Sequence, residues 1–423
     1  MTMNYDESLA WIHERTKFGI KPGIKRMEWM LAKLGNPEKN ITGVHIVGTN
    51  GKGSTLSYMR NALNYNDYTV GSFTSPYIEI FNERISVDGK PISDEDIAEL
   101  ANIIRPISEN MVEETDLGNA TEFEMITMMM FMYFGKLHPV DIVLIEAGLG
   151  ATNDSTNVFN PVMTLLTSVG LDHVDILGHT LLEITRDKAG VIKPGIPLVF
   201  NVKDDTCRDY IYKILDEEGS KGIELERDII LTTNGDEFSF KYDKYDFDDI
   251  QLKMLGRHQQ ENASIAIAAL IEMQERGIVT LDFNKMILGV EETTWTGRIE
   301  KISEKPLIIL DGAHNNEAVD ALVETMHSHF DDKKITVLFS AVKGKPLDSM
   351  VYKIGMLADE FYVTEFDFFK AEDGRVLYDA IEHPNKHYIK DYMKFIRNFN
   401  DELLLITGSL YFISEVKAKV DFS

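Results

Sequence analysis

Residues 45–54, HIVGTNGKGS, decide the fold of this chain. The apolar residues before the glycines predict a short buried strand, and the following STLSYMRNAL predicts a helix. Backbone N–H groups in such a turn, together with the N-terminus of the next helix, form an anion site. Lys52 adds a charge for the terminal phosphates of a nucleotide, and Ser54 offers a hydroxyl to Mg²⁺. The spacing departs from GxxxxGK[ST], but the strand–turn–helix context favours a phosphate loop over an ordinary glycine turn.

Apolar strands and helical patterns alternate on both sides of this loop. The predicted strands are 43–48, 69–74, 141–146, 163–168 and 197–200, and the predicted helices include 94–112 and the methionine-rich stretch 126–134. The alternation is typical of a mostly parallel sheet with helices on both faces, which binds ligands at the carboxyl ends of its strands. The methionine-rich stretch is more typical of core packing than of a metal site.

The pattern changes between residues 231 and 255, where polar–aromatic alternation predicts an exposed antiparallel hairpin. A helix follows over 262–277, and after Gly297 the alternation of strands and helices starts again. A length of 423 residues also favours two domains. We therefore predict domains over 1–296 and 297–423, the second a smaller α/β unit.

The composition excludes several classes of protein. A net charge of −26 argues against a nucleic-acid partner, because such proteins present a basic surface to phosphates. No run of 18 apolar residues occurs, so no membrane span is expected. The single cysteine, Cys207, excludes a disulfide framework, and the N-terminal residues lack the pattern of a signal peptide. We expect a cytoplasmic protein, and a monomer because no heptad pattern is present.

Two residues outside the loop have properties that suggest chemistry. Glu146 ends a predicted strand beside the phosphate loop, where an acid can hold Mg²⁺, although a solvated loop glutamate fits the position equally well. Lys188 falls on the apolar stripe of a helix predicted over 180–192. A lysine there must extend to solvent, pair with an anion, or stay neutral, and a neutral amine can react with CO₂ to give an anionic carbamate.

Three other segments contain polar residues where strands are predicted to end. Residues 74–85, TSPYIEIFNERI, combine turn formers with an Asn-Glu-Arg cluster, and a surface loop is the simpler interpretation of them. His173 follows a strand and could bind a metal through a ring nitrogen, although a hydrogen-bonded histidine is more common there. Asp311 again stands at the carboxyl end of a strand, and Arg298 lies at the predicted domain junction.

Taken together, these segments resemble the folylpolyglutamate synthases and dihydrofolate synthases of the Mur-ligase superfamily. The motifs that carry the resemblance are FGIKPGIKRM, GTNGKGS, TSPYIEIFNERI, TEFE, EAGLGATNDSTN, GLDHVDILGHTLLEITRDKAGVIKPG, GRHQQENA, WTGR, DGAHN and TGSLYF. They cover essentially the whole chain in order. The resemblance implies a Mur-ligase-like P-loop domain with a mostly parallel sheet, followed by a smaller Rossmann-like α/β domain.

The resemblance also implies site residues. An ATP site would comprise Asn50, Gly51, Lys52, Gly53, Ser54, Asn262, Arg298, Asp311 and His314. Two Mg²⁺ ions would be held, the first by Ser75 and Glu146 and the second by His173 and carbamylated Lys188. A folate or pterin site would comprise Pro22, Gly23, Ile24, Thr121, Glu122, Phe123, Glu124, Asn153, Asp154 and Ser155. Catalysis would rest on Lys52, His173 and Lys188.

Six positions depart from the pattern of the family. Tyr77 replaces a histidine, Ala151 and Thr152 replace a glycine and an arginine, His179 replaces an aspartate, and Thr296 and Asn316 replace prolines. The lost arginine bears on contacts to the pterin. It therefore concerns the choice of substrate rather than the ATP chemistry.

The implied reaction is an ATP-dependent amide ligation. The γ-phosphoryl group of ATP is transferred to a carboxylate, and the amine of L-glutamate attacks the resulting acyl phosphate. The acceptor would be tetrahydrofolate with its polyglutamates, and the sequence leaves open whether dihydropteroate is a second acceptor. A Mur-type ligase of a cell-wall precursor is one alternative. A nucleotide-dependent switch without ligase activity is another, although Lys52, Glu146, His173 and Lys188 argue against it.

Overall fold

The computed structural model describes residues 2–344 and 347–420. They divide into two compact units. The first contains the residues up to 232 together with 238–250 and 261–293, and the second contains 233–237, 251–260 and the residues from 294 onward. None of the helices in the described ranges combines the length and the apolar composition needed to cross a bilayer.

The first unit is built on an eight-stranded sheet. Its strands are β1 (Gly43–Val47), β2 (Val70–Phe73), β3 (Ile85–Val87), β4 (Lys90–Pro91), β5 (Ile142–Glu146), β6 (Met163–Leu166), β7 (Leu198–Phe200) and β8 (Gly222–Glu224). They lie in the order β4-β3-β2-β5-β1-β6-β7-β8. Only the pairs of β3 with β2 and with β4 are antiparallel among these strands. The five strands predicted from the sequence are confirmed as β1, β2, β5, β6 and β7, and each is buried along its whole length, as expected in a parallel sheet covered on both faces.

Helices cover this sheet, and a small antiparallel sheet follows it. The helices are α1 (Tyr5–His13), α2 (Lys25–Lys33), α3 (Lys52–Tyr65), α4 (Asp94–Glu114), α5 (Glu122–Met132), α6 (Val174–Leu177), α7 (Leu181–Lys188), α8 (Asp205–Glu218), α9 (Arg257–Glu275) and α10 (Phe283–Glu291). The antiparallel segment predicted near 231–255 forms β9 (Ile229–Asn234), β10 (Glu237–Tyr242) and β11 (Tyr245–Gln251), in the order β11-β10-β9.

Three predicted helices differ appreciably in extent from the structure. The helix predicted over 262–277 is α9 (Arg257–Glu275) and begins five residues earlier. The methionine-rich helix begins earlier, at Glu122, because Thr121 and Glu124 form a capping box, and its methionines lie in the core as predicted. The helix predicted over 180–192 ends at Lys188 and continues only as a 3₁₀ turn over Ala189–Val191. Gly190 and Pro194, both poor helix formers, follow that end.

The second unit is a separate α/β layer structure. Its elements are β12 (Glu300–Glu304), β13 (Leu307–Leu310), α11 (Asn316–Phe330), β14 (Ile335–Phe339), α12 (Leu347–Gly355), β15 (Glu360–Val363), α13 (Gly374–Ala380), β16 (Lys386–Tyr388), α14 (Tyr392–Arg397), β17 (Leu403–Thr407) and α15 (Leu410–Lys419). The strand order is β12-β13-β17-β14-β15-β16, and β12 is antiparallel to its neighbour. The other pairs are parallel, so the predicted second α/β unit is confirmed.

Candidate active site

The glycine-rich turn joins β1 to α3 and is shaped by backbone that only glycine adopts easily. Gly51 has a φ of 87°, and a Cβ added there would lie 2.4 Å from Asn262 Oδ1. The amide of Asn262, on α9, therefore lies directly against the turn. This contact joins two parts of the predicted ATP site that are more than 200 residues apart in the sequence.

Lys52 opens α3 and lies between the turn and the neighbouring strand end. Its Nζ donates to Gly48 O at 3.0 Å and lies 3.8 Å from Glu146 Oε1. The other carboxylate oxygen, Glu146 Oε2, accepts from Ser75 N at 3.4 Å. Because β1, β2 and β5 are neighbours, their carboxyl ends bring Lys52, Glu146 and Ser75 together, as expected for a ligand edge.

Ser54 provides an observation that fits a bound phosphate or metal ion. Its hydroxyl is buried, and Oγ has no hydrogen-bond partner in the described part of the chain. A buried polar group normally has a partner, because leaving it unpaired costs about 1–3 kcal/mol. The Ser54 hydroxyl, at the phosphate loop, is therefore suited to binding a ligand.

Lys188 lies at the end of α7 and is only 3% exposed. Burial, together with the nearby charge of Lys52, lowers the pKa of its amine to about 7, although Asp187 and Asp172 act in the opposite direction. A large fraction of this amine is therefore uncharged near neutral pH. An uncharged amine is the form that reacts with CO₂, so the environment fits the predicted carbamate.

His173 precedes the short helix α6 and has a φ of 50°. Its backbone N–H donates to Asp172 Oδ1 at 2.8 Å, and the influence of Asp172 on the pKa of Lys188 places this turn near the lysine. In the described ranges, no three His, Cys, Asp or Glu side chains converge closely enough to hold a metal ion. The predicted metal ligands include only two residues of those types, so their role stays a prediction.

The loop after Glu146 is fixed to the helix that carries Lys188. Ala151 N donates to Asp187 Oδ1 at 2.7 Å, and Thr152 Oγ1 donates to Asp187 O at 2.8 Å. Ala151 and Thr152 are two of the positions that depart from the family pattern. Sequence reasoning missed Asp187, and its place next to Lys188 was the available signal.

Two of the segments predicted to bind the pterin also meet in the structure. Gly23 N donates to Asn153 O at 3.1 Å, which joins the early loop to the loop after Glu146. The ring of Phe123 packs on Gly148, where a Cβ would lie 2.5 Å from Phe123 Cζ. These contacts place parts of three predicted segments in one region of the first unit.

An ion pair supports the same region. Arg26 Nε lies 2.8 Å from Glu124 Oε1, and the Glu124 side chain is 1% exposed. Glu124 Oε2 also accepts from Thr121 N at 2.7 Å. Both oxygens are thus engaged within the protein, and the contact of Glu124 with the pterin stays a prediction. Arg26 was not predicted, although it lies within the FGIKPGIKRM motif.

The loop that follows β2 is ordered by a single carboxylate. Glu83 accepts from the backbone N–H groups of Ile78 at 2.7 Å and of Glu79 and Ile80 at 2.9 Å. The guanidinium of Arg84 lies 5.1 Å from the centre of the Tyr77 ring. The segment that begins at Ser75 is therefore a loop whose backbone is held in place by internal hydrogen bonds.

The second unit has its own cluster at the end of β13. Asp311 accepts from Ile299 N at 3.0 Å and from Ala313 N at 2.8 Å, and burial raises its pKa while Arg298 opposes that rise. His314 Nδ1 lies 2.8 Å from Gly312 O. His258 was missed by the sequence reasoning. Burial and the charge of Arg298 lower its pKa to about 4 and keep it neutral.

The two units correspond to two known domain families. Residues 46–270 match the Mur ligase middle domain, and residues 297–410 match the Mur ligase glutamate ligase domain. The phosphate loop, the parallel sheet that carries it and the second α/β unit therefore define a Mur ligase.

Similarity over nearly the whole chain shows which family of Mur ligases this is. The chain is 42% identical to a dihydrofolate synthase/folylpolyglutamate synthase of Bacillus subtilis, covering 98% of this chain and 99% of that protein. A folylpolyglutamate synthase from Thermotoga maritima superposes with a TM-score of 0.86 at 28% identity, over 98% of this chain and 96% of the other. An FPGS–AMPPCP–folate complex superposes with a TM-score of 0.84 at 30% identity, over 98% and 99%. The chain belongs to the folylpolyglutamate synthase/dihydrofolate synthase family.

Proposed function

We propose that this chain is an ATP-dependent ligase that adds L-glutamate to the γ-carboxyl group of tetrahydrofolate and of its polyglutamates. The observation that carries the proposal is the cluster of Lys52, Glu146 and buried Lys188 at the ligand edge of the first unit. The similarity to folate ligases extends over nearly the whole chain. A ligase for a cell-wall precursor receives less support, because the full-length relatives named above are folate ligases.

The chain's own residues would bind and align the reactants. The phosphate loop offers backbone N–H groups to the phosphates of ATP, and Lys52 offsets the charge that develops on the transferred phosphoryl group. Asn262, which lies against Gly51, would contact the nucleotide next to the loop. When bound, two Mg²⁺ ions would neutralise phosphate charge, held by Ser75 and Glu146 and by His173 and carbamylated Lys188.

The reaction proceeds in two steps. A carboxylate oxygen of the acceptor attacks the γ-phosphorus of ATP, and ADP leaves, giving an acyl phosphate. The neutral amine of glutamate then attacks the acyl carbon, phosphate leaves, and the nitrogen loses a proton. Alignment of the two carboxyl-bearing substrates is the main task of the protein, because the chemistry itself needs little covalent help.

Some finer expectations remain predictions. They are the use of dihydropteroate as a second acceptor, the carbamate on Lys188, the cytoplasmic location and the monomeric state. The replacement of the family's arginine by Thr152 is the sequence feature that bears most directly on the first of these.

The direct test is phosphate release from ATP in the presence of L-glutamate, with tetrahydrofolate, dihydropteroate or no acceptor. We expect acceptor-dependent release and a product heavier by one glutamyl residue in mass spectrometry. Lys52→Ala should abolish release, whereas Lys213→Ala, on the exposed face of α8, should leave it unchanged. ATP hydrolysis that ignores every acceptor would overturn the proposal and favour the nucleotide switch.

A further inference from the structure

A buried chain of hydrogen bonds connects the phosphate-loop strand to the loop after Glu146. His45 is the central residue of β1 and is fully buried, and its Nε2 lies 2.8 Å from Thr156 Oγ1. Thr156, also fully buried, donates from Oγ1 to Asp154 Oδ1 in a short hydrogen bond. None of these contacts is used by the reaction steps described above.

The chemistry of the three groups fixes the direction of the hydrogen bonds. Both carboxyl oxygens of Asp154 accept from backbone N–H groups, Oδ1 from Thr156 N and Oδ2 from Leu149 N, and Oδ1 also accepts the Thr156 hydroxyl proton. With its proton directed to Asp154, the Thr156 oxygen accepts from His45. His45 is therefore protonated on Nε2 and bare on Nδ1. In agreement, Nδ1 is buried and has no hydrogen-bond partner among the described residues. Burial also lowers the pKa of His45 to about 3, which keeps the ring neutral.

Both carboxyl oxygens of Asp154 accept hydrogen bonds from the backbone of its own loop. Oδ1 also accepts from Thr156 N at 2.9 Å, and Oδ2 accepts from Leu149 N at 2.8 Å. Asp154 as a whole is only 4% exposed. The residue before it, Asn153, contacts Gly23 of the early loop through its carbonyl oxygen. Asp154 thus faces inward, while its neighbour faces the region predicted to bind the pterin.

We propose that His45, Thr156 and Asp154 form a positioning relay, which holds the acceptor loop over 149–157 at a fixed place relative to the phosphate-loop strand. The inference rests on the proposed function, since the loop matters only if an acceptor binds there. His45 and Thr156 are positioning residues, and Asp154 acts through the loop rather than by touching the pterin. A displacement of about 1 Å between reacting groups can cost about 100-fold in rate.

The test is Thr156→Val, which keeps the shape of the side chain and removes both hydrogen bonds of the hydroxyl. The matched control is Thr164→Val, because Thr164 is a buried threonine paired in register with His45 and its hydroxyl donates to Pro197 O at 2.9 Å, away from the loop. We expect kcat/KM for the acceptor to fall by roughly 10-fold to 100-fold in Thr156→Val only. The KM for ATP should stay within about twofold of that of the wild type, because the phosphate loop itself is intact.

Conservative variants separate positioning from simple loss of folding. Thr156→Ser keeps the hydroxyl and should restore the acceptor kinetics, and His45→Gln keeps a side-chain N–H donor and should retain more activity than His45→Leu. Equal acceptor kinetics in Thr156→Val and Thr164→Val would overturn the relay. Thr156→Ser kinetics reduced like those of Thr156→Val would also overturn it.

An activity-independent measurement distinguishes failure of the relay from failure of the proposed function. Nitrogen-15 NMR of labelled histidine in the wild-type chain should show His45 with the proton on Nε2, assigned by its loss in His45→Gln. The opposite tautomer would overturn the relay whatever the enzyme catalyses. A wild type with the expected tautomer but no acceptor-dependent turnover would instead overturn the proposed function.

Discussion

Replacing Lys188 by methionine should make the protein more stable while it removes ligase activity. Methionine has a similar length and no charge, so the substitution removes the cost of burying an amine. The pKa of a lysine is ordinarily 10.5, and burial lowers that of Lys188 to about 7. At about 1.4 kcal/mol for each factor of ten, this difference costs the folded state about 5 kcal/mol well below pH 7, and slightly less at pH 7.

The sign of the pH dependence follows from proton binding. Between pH 7 and 10.5 the unfolded chain keeps the proton on Lys188 and the folded chain has lost it, so the stability of the wild type rises with pH. The variant lacks this contribution. The difference in the free energy of unfolding between Lys188→Met and the wild type should therefore shrink from about 4–5 kcal/mol at pH 7 to about 2 kcal/mol at pH 9.

The assay is urea unfolding followed by circular dichroism at pH 7, 8 and 9, in buffers purged of CO₂. Lys213→Met is the control, because the side chain of Lys213 is 66% exposed and its replacement should change stability little at any of these pH values. Added bicarbonate should stabilise the wild type but not Lys188→Met, since only the wild type can form the carbamate. A Lys188→Met protein no more stable than the wild type, or a difference independent of pH, would refute the reasoning.

Three further predictions concern the surroundings of the site. Gly51→Ala should raise the KM for ATP about tenfold or more, because the new Cβ would displace the Asn262 amide. Such overpacking costs about 1–3 kcal/mol. The KM is measured by varying the ATP concentration in the phosphate-release assay. Arg26→Met should lower the free energy of unfolding by about 3–5 kcal/mol, since it leaves Glu124 buried without its partner; urea unfolding measures it. Glu83→Gln should speed hydrogen exchange of the three backbone amides it holds, because these bonds are worth about 1–3 kcal/mol each.

Each of these three has a control and an opposing result. A Cβ added at Gly219 has no atom within 4 Å, so Gly219→Ala is the control for Gly51→Ala. An equal rise in the KM for ATP in both variants would contradict the steric argument at Gly51. The double variant Arg26→Met/Glu124→Leu should recover most of the lost stability, and no recovery would argue against an unpaired charge as the cause. Unchanged amide exchange in Glu83→Gln would show that other contacts order the loop.

Local sequence patterns predicted most of the architecture. A strand, a glycine turn and a helix are contiguous, so residues 43–65 carry the signal for the phosphate loop by themselves. Alternation of apolar segments predicted both α/β units for the same reason. Helical periodicity also placed Lys188 on the apolar stripe of α7, because it decides which face a residue occupies. Only the structure showed that the lysine stays buried there instead of extending to solvent.

The sequence by itself determined the elements, the two α/β units and the chemical types of the residues at the strand ends. Only the tertiary structure decided which distant groups meet: Asn262 with Gly51, Asp187 with Thr152, and His45 with Thr156, a pair 111 residues apart. The contact of His45 with Thr156 depends on β1 lying between β5 and β6 in the sheet, since Thr156 is in the connection between those two strands. Strand order is set by packing among segments far apart in the chain, and no periodicity within one segment encodes it.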